Sequence, residues 1–132
     1  MSWPYDWDSH PGVAVVTVSG SIARVGLSEL RDDILAQPRL AGCDGYVVDF
    51  GAGDASGLTA GDMRSLAAEI RPSGQARVRR ALVVSDAQAH GLAAVYRGHV
   101  QGRDALASIG VFLAVDDAID WFEGRAGQAA SG

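Results

Sequence analysis

The residues with the clearest chemical potential lie at Asp54-Ala55-Ser56-Gly57-Leu58, shortly after an apolar segment that ends around Asp49. A serine between a buried strand and a helix can receive a phosphate, whose charge of about −1.5 to −2 is stabilised by a helix N-terminus. The same position equally suits an unmodified turn. Asp49 stands at a strand end, where open α/β sheets face their ligands, and it also suits bonding to nearby backbone donors. Gly51, Gly53 and Gly57 would let backbone N–H groups approach an anion. However, the chain contains neither a G-x-G-x-x-G opening nor a Walker sequence, and it has no lysine. Nucleotide chemistry is therefore not expected.

Acid–base and metal chemistry find little support. Asp86 and His90 are four positions apart and suit one helical face, while His99 lies about two and a half turns beyond His90. No G-x-S-x-G elbow holds a serine nucleophile. His90 reads as a helix-surface or capping residue, and His99 as a partly buried packing residue that continues the stripe of Leu92, Val95 and Tyr96. With no C-x-x-C or H-E-x-x-H spacing, neither a metal nor another cofactor is expected. Cys43 is alone, which excludes an intrachain disulfide and suits a reducing compartment.

Charge narrows the partners. The net charge is −5, and all 11 basic residues are arginines, with Arg64, Arg71, Arg77, Arg79 and Arg80 close together. Around that group, Val78, Ala81 and Leu82 supply no stacking platforms, so nucleic-acid binding is not expected. The arginines read as a solvated surface, with an acidic protein or a phospholipid headgroup as the functional alternative.

These residues must be held by a scaffold, and the patterning describes one. A chain of 132 residues with 48% hydrophobic content makes one domain with its own core. Residues 13–18, 45–50, 78–85 and 109–115 read as strands, and residues 5–9 as a marginal edge strand turned by His10-Pro11-Gly12. Gly20 ends the first strand and residues 51–57 form a turn segment. Helices are expected over residues 27–36, stopped by Pro38, then after a Thr59/Asp62 cap with Met63, Leu66, Ala67 and Ile70 inward. A further helix follows a Ser85/Gln88 cap, and a last one starts at Asp116-Asp117 and is anchored by Trp121 and Phe122. Apolar strands separated by helices imply a mostly parallel sheet of four or five strands, flanked by helices. The expected layout is a segment or edge strand at residues 1–12, one α/β domain at 13–123 and a frayed tail at 124–132. Trp3, Tyr5 and Trp7 alternate, so they either close their own core or pair with another subunit as a homodimer.

The order and spacing of several segments carry a family resemblance. Val47-Val48-Asp49-Phe50, then residues 57–66, then 79–86 with Gly91 to Tyr96, and finally 111–122, resemble the SpoIIAA-like proteins of the STAS/SEC14 group. The similarity spans roughly residues 13–122. It implies a bacterial α/β domain of the STAS type, a small regulatory module that binds proteins. STAS antagonists of anti-sigma factors are phosphorylated on a serine in an Asp-Ser-Ser-Gly-Leu context. Carried onto this chain, the phosphosite is Ser56, with Ala55 in place of the other serine.

Two functional classes follow. The first is a non-catalytic regulatory or protein-interaction module whose partner-facing residues are Asp49, Asp54, Ser56, Gly57 and Leu58. The second, implied by the SEC14 side of the resemblance, is a carrier of a lipid or small apolar ligand contacted by Leu92, Val95 and Tyr96. No apolar run approaches the roughly 20 residues that span a bilayer, and no secretory signal core is present, so a cytoplasmic location is expected.

Overall fold

Branched apolar residues concentrate in short runs, and those runs become the strands of a five-stranded sheet. The computed structural model describes residues 3–69, 79–103 and 108–124. In chain order its strands are β1 (Tyr5–Asp6), β2 (Val13–Ser21), β3 (Gly45–Asp54), β4 (Arg79–Val83) and β5 (Ile109–Phe112). Their spatial order is the same as their sequence order; β1 runs antiparallel to β2, and every other neighbouring pair is parallel. The helices are α1 (Arg24–Leu35), α2 (Ala60–Ala68), α3 (Ala87–Arg103) and α4 (Val115–Phe122), with a 3-10 turn at Pro38–Gly42.

This order dictates the layers. Parallel neighbours joined in sequence by crossovers of one hand place their connecting helices on one face. Ala14, Val16, Val18, Tyr46 and Val48 accordingly face a core shared with Leu30 and Ile34 of α1 and with Met63 and Leu66 of α2. The alternate residues Val13, Val15, Val47, Ala81, Val83 and Phe112 form a second core under Ala118, Ile119 and Phe122 of α4. At Gly45 a Cβ would lie 2.1 Å from the Arg79 carbonyl oxygen and 2.6 Å from the Phe122 ring, so only glycine lets β3, β4 and α4 close together.

Several boundaries differ from the sequence expectations. β2 runs through Gly20, which takes φ +77°, and β3 runs through Gly51 and Gly53 to Asp54, because Ser19, Gly20 and Ser21 pair with Ala52, Gly53 and Asp54. Residues 51–54 are therefore strand rather than turn. Register slips between Thr17 and Ser19, and the slip is held by Asp49, whose Oδ1 accepts from the Gly51 N–H at 2.8 Å. Thr59 and Asp62 do form a reciprocal capping box on α2. The start of α3 is different: Asp86 Oδ1 accepts from Ala89 N–H at 2.8 Å, while Ser85 donates to the Gly51 carbonyl and Gln88 to the Ala55 carbonyl. His99 is exposed, and Val100 occupies the buried position of that turn. β5 ends at Phe112, and α4 starts with Asp116 and Asp117 in its first turn. Ile70, Arg71, Arg77 and Val78 lie outside the described residues.

Two of the grouped arginines, Arg79 and Arg80, depart from the solvated-surface reading, whereas Arg64 is exposed. Arg79 lies over Trp121, with its guanidinium carbon 4.2 Å from the ring centroid, and donates to the carbonyls of Trp121 and Phe122 at 3.0 and 3.3 Å. A cation is thereby placed on the last carbonyls of α4, where the helix dipole favours it. Arg80 points to the opposite face and is buried. At the N-terminus, Trp3, Tyr5 and Trp7 pack against the first core of their own chain. Tyr5 and Trp7 stack with centroids 5.4 Å apart, and the Tyr5 hydroxyl donates to Asp33. No helix among the described residues is long and apolar enough to cross a membrane.

Candidate functional site: a cavity between the sheet and three helices

The helices α1, α2 and α3 do not fill the space above β3 and β4. They leave a cavity of about 120 Å³. Its floor is Tyr46, Val48 and Phe50 from β3 with Arg80 and Leu82 from β4, which follow from the period-two alternation of a strand. Leu30 and Ile34 of α1, Met63 and Leu66 of α2, and Leu92, Ala93 and Tyr96 of α3 complete the walls. Ala55, Ser85, Asp86 and Ala89 line the end of the cavity that lies beyond the carboxyl ends of β3 and β4. This is the end at which open parallel sheets bind ligands.

The lining is almost wholly apolar, so its few polar groups stand out. Arg80 is 5% exposed and is the only charged residue buried among the described residues. Its Nε has no hydrogen-bond partner there. Tyr46 and Tyr96 approach the same guanidinium. Burial pushes the Tyr46 phenol up to about 12, against the opposing pull of Arg80, and the Tyr96 phenol is raised for the same reason, with Arg80 again opposing. Both are neutral hydroxyls at physiological pH. Arg31 also lines the cavity, but its charge is matched: it pairs with Glu69 and Asp32, while Arg24 reaches Glu69 at 2.9 Å. Arg31 holds the Glu69 carboxyl below its usual range.

Of the residues expected to bind a partner, Leu58 is 8% exposed and belongs to the cavity wall, not to the outer surface. Its neighbours Ser56 and Gly57 are exposed in the turn before α2. Ser56 sits three residues ahead of the cap Thr59, and its N–H donates to Asp54 Oδ1 at 2.9 Å, which helps hold the Asp54 carboxyl below its ordinary value. Asp49 stands two residues beyond Val47 and shares its strand face, the α4 side, so it does not line the cavity. Of the expected apolar contacts, Leu92 and Tyr96 line the cavity, while Val95 packs against the same core outside that lining. His90 is exposed, and Asp86 is occupied in capping α3. Among the described residues no three His, Cys, Asp or Glu side chains gather as a metal site.

Arg80 was missed as a site residue. The available signal was alternation: Arg80, Leu82 and Val84 share one face of the strand, opposite to Ala81 and Val83.

No protein-family model matches the chain, and no curated protein sequence matches it either. Among solved structures, an uncharacterized protein of the DUF3478 family with a SpoIIAA-like fold, from Shewanella loihica PV-4, matches with a TM-score of 0.51 and 15% identity over 92% of each chain. At that identity the likeness concerns architecture alone. The chain has a SpoIIAA-like α/β fold, a mostly parallel five-stranded sheet flanked by helices.

Proposed function

We propose that this protein is a non-catalytic regulatory module that takes a small, largely apolar molecule into the cavity beneath α1, α2 and α3, and presents the adjoining turn at residues 55–58 to a protein partner. The observation that carries this reading is the alternation of roles along that turn. Ala55 and Leu58 line the cavity, while Ser56 and Gly57 between them are exposed. Whatever fills the cavity presses on two residues of a four-residue turn whose outer face is open to a partner. A phosphate on Ser56 would act on the same element from outside, beside the negative charge of Asp54.

Size supports small-molecule uptake. An engineered apolar cavity of about 150 Å³ stays dry and binds benzene. A diacyl lipid exceeds the space available here, so lipid carriage in the SEC14 manner is the weaker form of the carrier reading.

Protein-observed NMR with toluene as probe tests the proposal. Amide shifts should move at Leu30, Leu92 and Tyr96 in the cavity and also at Ser56 and Gly57 in the turn. No change at either set would end the ligand reading. Movement in the cavity alone would remove the link to the turn.

A further inference from the structure

Arg80 does not suit a cavity meant only for hydrocarbon. A buried donor without a partner is destabilising, the more so when it carries charge. The Nε of Arg80 is in that condition, in a mostly apolar lining whose other charged members are Arg31, paired with Glu69, and Asp86, which caps α3. Tyr46 and Tyr96 approach the guanidinium as neutral hydroxyls, so neither neutralises it. The nearby carboxylate of Glu69 is already paired with Arg31 and Arg24.

We infer that the cavity binds a small apolar monocarboxylic acid as its anion, with the carboxylate seated on the Arg80 guanidinium and the apolar body extending along Leu82 toward Ser85. This rests on the reading of the cavity as a ligand site and names the chemistry of its occupant. A guanidinium presents its N–H groups as a planar fork, and a carboxylate accepts two of them in parallel. One anionic charge against one cation leaves a neutral pair in the apolar wall. A dianionic phosphate would leave an uncompensated charge there. The volume of about 120 Å³ limits the body to one ring or a short aliphatic chain. The orientation follows from the strand: Arg80 lies near the amino end of β4 and Ser85 just past its carboxyl end, so the apolar body of the bound acid runs along β4 toward its carboxyl end.

The test is calorimetric titration of the full chain with sodium benzoate and sodium hexanoate, each beside its neutral counterpart, benzyl alcohol and 1-hexanol. The acids are expected to bind at least about tenfold more tightly than the alcohols, the contribution of a hydrogen bond to a charged group. In Arg80→Met the order should reverse, with acid binding lost and the alcohols retained. Equal affinity of acid and alcohol in the unaltered chain would overturn the carboxylate inference while leaving the cavity a ligand site. Binding of none of the four compounds would overturn both. The comparison within the unaltered chain decides the matter even if Arg80→Met does not fold.

Discussion

Glu69 shows how single residues hold the cavity's walls. It follows α2 and accepts from Arg24, Ser28 and Arg31 of α1, so one carboxylate ties two helices. Its pKa is depressed from 4.5, chiefly by the Arg31 hydrogen bond. A carboxyl depressed in the folded state contributes stability above its unfolded value, and that contribution is lost as pH falls through the folded value. Glu69→Gln should therefore lower stability by up to about 1 kcal/mol at pH 7, since the network is largely exposed. Urea titrations should show the two proteins converging as pH drops below 4.5 and through the depressed value. A difference independent of pH would mean that the ion pairs contribute nothing. Arg80 presents the contrasting case, a buried cation met by two neutral tyrosine hydroxyls and, among the described residues, by no carboxylate. Replacing a buried charge by an apolar side chain of similar volume is often neutral or stabilising, so Arg80→Met should keep or raise the thermal midpoint while changing ligand preference.

Among the elements, α2 depends most visibly on local sequence. Its nine residues are started by the Thr59/Asp62 box, which satisfies two backbone donors at once. Thr59→Ala should cost about 1 kcal/mol in chemical denaturation and loosen the turn at Ser56, detectable as faster amide exchange there. That box was legible because the side chains and the backbone groups they satisfy lie three residues apart. The boundaries that were not legible depend on distant partners. Glycine, alanine and aspartate at residues 51–54 have turn chemistry, yet pairing with Ser19, Gly20 and Ser21 keeps them in β3. Ser85 looked like a helix cap because Gln88 follows at the right spacing, but its hydroxyl donates to Gly51 across the sheet and Asp86 takes the cap instead. The four parallel strands were recognisable from their apolar runs. The cavity was not, because it arises where three helices fail to meet, and no single segment records that.

For the molecule as a whole, the asymmetry of the two sheet faces matters most. One face carries three helices and leaves a void, while the other is covered, among the described residues, by α4 alone. A void of this kind is a reserve of stability forgone, because its lining atoms lack contact partners. Ala93→Leu, directed into the cavity from α3, should raise the thermal midpoint by about 2–5 °C and abolish toluene binding. A lower midpoint with binding intact would place the free space elsewhere.

The seal on the second face has a consequence for synthesis. α4 comes after every strand it covers, so Val13, Val15, Val47, Ala81 and Val83 emerge and pair long before their cover exists. Through that interval the growing chain displays an apolar sheet surface suited to a chaperone or to another unfinished copy. A chain stopped after residue 113 should therefore collect in the insoluble fraction on expression, and adding a peptide of residues 114–124 in trans should return part of it to solution.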